Sequence, residues 1–360
     1  MHTYGSINRM IDKLYATNNY TLINYDLVQH SGRNTLKLQV TEEDTRFFLK
    51  FGLHYDEILK TGLLLNSTFK RFLFRNSILS LDVVIGDTPR YYFNYFVDNG
   101  YIPGFGVYAS GMILKLNDRR GNQVEDQNWY RNEFYLQSIW KDRYAVGGGL
   151  SHDYYDSKIG ASRYENSRNF FNPYLFIKSD TRDDKDFATR GVYLNAEGKI
   201  LDIFSTDQQE KNIQLKADIR LNFPFSGWFT YRLNMFGGFT LGDDHLSEYY
   251  KFRPGGIFQQ SLGNLTPFYG YQFGAIQSNN LVTVINDLQF RLKKNIFATA
   301  HVSFLNTFEE PNIKDILKIG ESSAGATLGY KSPFGQIKLN YSQAFNNKKG
   351  IISVILGHWF

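Results

Sequence analysis

The sequence predicts an all-β chain: a 16-stranded antiparallel transmembrane β-barrel with a truncated N-terminal α/β unit. Three observations carry this expectation. Segments of roughly 9–13 residues alternate apolar and polar side chains from Phe47 to the end, the signature of strands with one apolar and one polar face. Short turns alternate with longer polar loops, as in bacterial outer-membrane barrels. Aromatic residues make up 17% of the chain, with Phe 31, Tyr 25 and Trp 4, yet mean hydropathy is −0.38. No run of about 20 apolar residues is present, which excludes a bundle of transmembrane helices.

The first element is a helix expected over about Ser6 to Tyr15. Ile7, Met10, Ile11 and Leu14 fall at helical spacing, and Ser6 can cap its N-terminus. Asn18-Asn19 ends it. Strands over 20–28 and 35–41 follow, joined by the turn Ser31-Gly32-Arg33-Asn34. This unit, residues 1–45, is too small to fold well alone. The start lacks a basic region followed by an apolar core, so it is no signal peptide. That fits either a cytoplasmic protein or a fragment of a longer precursor, and the aromatic end Trp359-Phe360 favours the fragment.

Residues 46–360 form the expected barrel, with a long loop over 242–280. Its strands are read at 47–55, 58–70, 77–87, 89–98, 106–118, 129–141, 144–158, 169–182, 188–201, 213–224, 228–241, 281–292, 295–306, 322–333, 335–345 and 350–360. The clearest is Ile213 to Phe223. Ile213, Leu215, Ala217, Ile219, Leu221 and Phe223 share one face, and Gln214, Lys216, Asp218, Arg220 and Asn222 share the other. Loops 119–128, 159–168 and 202–212 are long and polar. Soluble sandwiches and propellers alternate too, but they rarely supply sixteen long strands without repeats, and none is visible. Tyr91, Tyr101, Trp129, Trp140, Trp228 and Trp359 near strand ends suit interfacial girdles. The polar faces, including Lys216, Asp218, Arg220, Asp287, Gln289 and Arg291, are expected to line the lumen.

The connection between Leu241 and Leu281 breaks the rhythm. Loops this long are usually functional. Its centre is aromatic and glycine-rich: Phe258, then Phe268-Tyr269-Gly270-Tyr271, then Phe273. An external loop should be more polar, so this one is expected to fold into the lumen; the alternative is a surface loop folded on itself.

Between the eleventh and twelfth of sixteen strands, that loop resembles the sixth external loop of the BamA-like superfamily of outer-membrane assembly factors and two-partner translocators. Their loop carries an Arg-Gly-aromatic tip. Gly270 and Tyr271 match it, and Tyr269 stands where the arginine would be and cannot make its ion pair with acids of the barrel wall. The stretches Ser322 to Tyr330, Ser332 to Ile337 and Leu356-Gly357-His358-Trp359-Phe360 resemble the superfamily's last three strands, and residues 5–41 resemble the end of a periplasmic POTRA domain. Phe51 to Tyr55, Thr61 to Asn66 and Tyr95 to Gly100 resemble the barrel of patatin-like phospholipase fusions, whose lipase would lie upstream. The resemblance implies a lateral seam between first and last strands, at Phe47, Leu49, Phe51, Gly357 and Phe360. It places the chain in the outer membrane of a Gram-negative bacterium, with its N-terminal unit in the periplasm. The partners implied are outer-membrane lipids and an attached or incoming polypeptide. The oligomeric state is left open.

No catalytic motif is found. A lipase elbow Gly-x-Ser-x-Gly is absent, since Gly160-Ala161-Ser162-Arg163 lacks its second glycine. His54, His152, His245, His301 and His358 show no metal spacing and are read as solvated or girdle residues. The lack of cysteine removes thiolate metal sites, and neither a metal nor a cofactor is expected. Gly147-Gly148-Gly149 reads as strand under something bulky, with the loop tip a candidate. A net charge of +5 suits anionic headgroups and signals no nucleic acid. Three functions remain: a BamA-like module that anchors, translocates or inserts a polypeptide; a passive channel or small-solute transporter; and a lipase with its site in the barrel.

Overall fold

The computed structural model describes residues 20–360 apart from 31–32, 43–44, 57–58, 101, 118–122, 141–142, 160–165, 205–211, 243–245, 258–262, 273–274, 311–317, 348 and 358–360. The expected helix over 6–15 lies outside the described residues, as do Tyr101, His245, Phe258, Phe273, His358, Trp359 and Phe360. β1 (Tyr20–His30) and β2 (Arg33–Glu42) form an antiparallel hairpin of their own.

Sixteen strands close into one barrel. The first eleven are β3 (Phe47–Asp56), β4 (Lys60–Lys70), β5 (Ser77–Gly86), β6 (Arg90–Val97), β7 (Gly104–Asn117), β8 (Gln123–Trp140), β9 (Tyr144–Ile159), β10 (Asn166–Asp180), β11 (Gly191–Leu201), β12 (Asn212–Pro224) and β13 (Phe229–Leu241). After the long loop come β16 (Asn280–Lys293), β17 (Ile296–Phe308), β18 (Glu321–Ser332), β19 (Gly335–Ala344) and β20 (Ile351–Gly357). The loop itself holds β14 (Arg253–Pro254) and β15 (Leu265–Thr266), a parallel pair. Each expected barrel strand coincides with an observed one within a few residues. The largest difference is at β8, which starts at Gln123, so part of the expected loop 119–128 is strand paired with β7.

The barrel is apolar outside and polar inside. On β12, Ile213 and Leu215 are 44% and 41% exposed, while Gln214 and Asp218 are buried. This inversion follows from the solvent. Lipid takes the apolar face, closure pairs the backbone that lipid cannot hydrate, and the polar face turns to the interior. Of the expected girdle residues, Trp140 and Trp228 are exposed. Trp129 is a correction: it packs inward against Tyr249 of the long loop, because residue 129 falls on the lumenal parity of β8.

The two ends differ. At the near end, where the chain enters β3, the connections are mostly short, as at 225–228, 294–295 and 333–334. At the far end they lengthen, to 202–211, 242–279 and 309–320. The exception at the near end is the connection 181–190 between β10 and β11.

Candidate functional site

The site is the lumenal loop, the wall that receives it and the edge where the barrel closes. The loop is ordered by its own hydrogen bonds. Phe252 and Ser278 exchange backbone bonds of 2.8 and 3.0 Å, which bring its two legs together. Gly256 N–H donates to the Tyr271 carbonyl and Phe268 N–H to the Gly256 carbonyl.

Two anchorages hold the loop. The apolar one joins Phe252, Phe268 and Tyr271 of the loop to Phe236, Leu281, Leu305 and Ala344 of the wall. These wall positions are apolar on a face that is largely polar, and Tyr155, Phe170 and Leu201 form a second apolar patch under Tyr250. Gly238 clears space for the Phe252 ring, since a Cβ there would lie 2.5 Å from it. At the tip Gly270 takes a left-handed φ of +79° and donates its N–H to Ser342 Oγ at 3.0 Å. The Tyr271 hydroxyl donates to Glu321 and also meets Asn346. Tyr269 stacks on His301 of β17, with ring centroids 3.8 Å apart and planes at 17°.

The second anchorage is polar and lies near the start of the loop. Asp153, fully buried, accepts from Arg131 Nε at 2.6 Å and from Asn172 Nδ2 at 2.8 Å. Lys199 stands 3.8 Å from both Asp153 and Glu197, and Lys216 pairs with Glu197 at 3.0 Å. With Glu133, 3.7 Å from Arg131, three cations face three carboxylates across β8 to β12. Tyr249 and Tyr250 dock on this network: Arg131 donates to the Tyr249 hydroxyl, Asn172 to that of Tyr250. Burial pushes both phenols well above their ordinary pKa, so they dock as neutral groups.

The near-end turn 181–190 also enters the lumen. Asp184 Oδ1 accepts from the N–H groups of Asp186 and Phe187, and Asp183 from those of Thr189 and Arg190. Burial alone would raise both carboxyls. The Lys331 hydrogen bond at Asp184, the Thr189 hydroxyl at Asp183 and these N–H bonds outweigh it and hold both below the ordinary value of 3.8. A depressed carboxyl adds stability above its unfolded pKa and loses it as pH falls through the folded one. A nitroxide at Lys185→Cys, unique in a cysteine-free chain, is therefore expected to be immobile near neutrality and to gain mobility only below pH 3.8. A gain of mobility already above pH 3.8 in the electron paramagnetic resonance spectra would count against these caps.

The interior is uneven. A cavity of about 130 Å³ lies between the loop tip and the turn. A larger chamber of about 880 Å³ lies beside β5 to β11, lined by Tyr92, Phe96, Tyr135 and Phe176 among others.

At the closing edge β20 and β3 pair at two described positions, Leu356 with Tyr55 and Gly357 with His54. Every other neighbouring pair shares seven or more; β19–β20 and β10–β11 share seven each. Gly357 has φ +91°, and a Cβ there would run into the Leu53 carbonyl, so glycine is required. Phe47, Leu49 and Phe51 point outward from β3 and pair through β4, with no described partner on the β20 side.

Two sequence readings need correction. His54 and His301 are buried rather than solvated. His301 lies under Tyr269, and neither of its ring nitrogens has a hydrogen-bond partner among the described residues. Gly147 and Gly149 are covered by Phe176 of β10 and Tyr135 of β8, not by the loop tip, which rests on the opposite wall. Spacing could not have found the Arg131–Asp153–Lys199–Glu197–Lys216 network, since five strands must be in register to assemble it. Among the described residues no cluster of His, Asp and Glu could hold a metal ion.

A family model described as the OMP85 superfamily matches residues 34–360. The chain belongs to the OMP85 superfamily. Its sixteen-stranded closed barrel is thus an outer-membrane barrel of that superfamily, consistent with its apolar outer face. The structure is similar to that of BamA from Haemophilus ducreyi lacking POTRA domains 1–3, at TM-score 0.70 and 13% identity, covering 99% of this chain and 78% of that one. It is also similar to CdiB from Acinetobacter baumannii (TM-score 0.63, 14% identity, 99% and 69% covered). CdiB from Escherichia coli gives TM-score 0.66 and 12% identity, with 98% and 71% covered. No curated protein matches the chain. At these identities the likeness concerns the fold.

Proposed function

We propose that this OMP85 barrel anchors a polypeptide in the outer membrane and translocates or inserts it by opening the edge between β3 and β20. The observation that carries the reading is that edge: among the described residues it has two residue pairs, where other neighbours have at least seven. Unpaired backbone on an edge strand templates pairing with another strand. Phe47, Leu49, Phe51, Gly357 and Phe360 are the seam residues in this reading, Phe360 lying outside the described residues. Phe268, Tyr269, Gly270 and Tyr271 are the latch that keeps the lumen shut while the seam works. The near end faces the periplasm, and residues 1–45 are a partial POTRA-like unit there. In this reading the chain is the barrel of a patatin-like phospholipase fusion, which the resemblance of Phe51 to Tyr55, Thr61 to Asn66 and Tyr95 to Gly100 supports, and the chain itself has no catalytic role.

A disulfide between Tyr55→Cys and Leu356→Cys tests the reading. The two residues are register partners, and antiparallel partners lie about 4.5–5.5 Å apart, within disulfide reach. The locked barrel in proteoliposomes is expected to lose insertion or export of its polypeptide and to regain it on reduction. Full activity when locked would refute seam opening. The second reading, a passive channel, draws on the 880 Å³ chamber. It requires a steady pore of fixed conductance in planar bilayers, unaffected by the lock.

A further inference from the structure

The near-end connection 181–190 is ten residues long, where 225–228, 294–295 and 333–334 make do with two to four. It does not hang free. It reaches inward past β12 and β13 to touch β16, β17, β18 and β19. Phe187 and Ala188, its two apolar residues, are buried in the lumen. The Phe187 ring stacks on Phe297 with centroids 4.5 Å apart and planes at 10°. Gly329 is its seat, since a Cβ there would run into the ring. Gln289 Nε2 donates to the Ala188 carbonyl at 3.1 Å, and Lys338 Nζ to the Asp186 carbonyl at 3.2 Å. Lys338 also lies over the Phe187 ring, and Lys331 pairs with Asp184.

We propose that the turn 181–190 is an inner gate, a second closing element that seals the near end of the half-lumen beneath the loop tip. Three features separate a gate from a connection that only packs. The wall is shaped to receive it, with a glycine seat, a partner ring and two donors aimed at its carbonyls. The turn is preformed, because Asp183 and Asp184 cap its own backbone. It also meets the loop across a void: Phe187 and Ala188 form one side of the 130 Å³ cavity, and Phe268 and Tyr269 the other. Two layers from opposite ends thus close one passage in series. The attachment of the turn is one ring stack and a few polar contacts, so it can release without unpairing any strand. Loops and turns with few buried contacts are where local opening occurs.

Ion current through the full chain in planar bilayers tests the inference, and it does so whatever the barrel transports. Phe187→Ser with Ala188→Asp, which frees the turn, is expected to leave the current at the wild-type level, because the loop still closes the passage. Phe268→Ala with Tyr269→Ala frees the loop tip and raises the current only as brief events, when the weakly attached turn opens by itself. Combining the two pairs raises it well above the loop-tip variant alone. A second arm keeps Phe187, Ala188 and the Asp183 cap and replaces the Asp184–Lys331 pair by a covalent bridge: Asp184→Cys and Lys331→Cys, joined by a short reducible bifunctional thiol reagent in the loop-freed barrel. Crosslinking is expected to cut openings roughly tenfold, as removal of the open state of a two-state element should, and reduction to restore them. If the combined variant matches the loop-freed one and the crosslink changes nothing, the turn is a brace and the inference fails. A locked seam that abolishes polypeptide transport but leaves these currents unchanged would support the seam reading without bearing on the gate.

Discussion

Replacing Asp153 by alanine is expected to destabilise the barrel by roughly 3–5 kcal/mol, the cost of stripping one partner from a buried ion pair. Asp153 is fully buried and takes Arg131 at 2.6 Å, Asn172 at 2.8 Å and Lys199 at 3.8 Å. Its loss leaves two buried cations facing only Glu133 and Glu197. The penalty comes from the orphaned charges, not from the pair itself. Arg131→Met combined with Asp153→Leu should therefore recover most of the loss, since apolar replacement of both partners is often neutral. Equilibrium denaturation in detergent micelles reads both. The Tyr249–Tyr250 hook docks on the same network, so Asp153→Ala should also loosen the loop and raise resting conductance. A loss below about 1 kcal/mol, the worth of an exposed pair, would mean the network is hydrated.

Tyr269→Ala is expected to cost about 2 kcal/mol and to open the lumen intermittently, because it removes a ring stacked at 3.8 Å on His301. Tyr269→Phe should cost little, since the stack and not the hydroxyl holds the ring. Burial first, then the nearby Asp287 carboxylate, pushes the phenol well above its ordinary pKa, so the latch is neutral. Tyr269→Arg is the informative case. Asp287 already receives Arg232 at 2.8 Å, and Arg220 is held by Asp218 at 2.7 Å. Asp287 Oδ1 has no hydrogen-bond partner among the described residues, but Arg232 already neutralises the carboxylate through Oδ2, so a third guanidinium would enter a site with no net negative charge and Tyr269→Arg should destabilise more than alanine. Adding Arg232→Leu frees Asp287 and should rescue it. Denaturation midpoints and single-channel recordings check the series. If Tyr269→Arg alone is as stable as the native chain, the assignment of Asp287 to Arg232 is wrong.

Much of the barrel was legible from period alone. On β12 the alternation at 213–223 predicts the strand, and its inside-out burial follows only once sixteen such strands without repeats point to a membrane barrel. The long loop was legible from its length and aromatic centre. What stayed hidden needed register. Leu281, Leu305 and Phe236 form the seat of the loop only when three strands align. The burial of His301 follows from Tyr269 settling over it, a contact between residues far apart in sequence. The alternation puts 181–182 and 188–190 in strands and leaves only 183–187 as a connection, so the ten-residue turn 181–190 is not visible as one element. Its inward path is set by Asp183 and Asp184 capping the backbone, a local signal, and by Gly329 and Phe297, which are distant ones.

The central claim is that the barrel closes weakly between β3 and β20. Amide hydrogen exchange of the intact protein in nanodiscs measures it directly, comparing the amides on the facing edges of these strands with those of β12. β12 shares eleven residue pairs with β11 and twelve with β13. The seam shares two among the described residues. The β20-facing amides of Phe47 to Leu53 are expected to exchange at least roughly 100-fold faster than the β12 amides, as local opening at an under-paired edge requires. Protection of the seam equal to that of β12 would contradict the account.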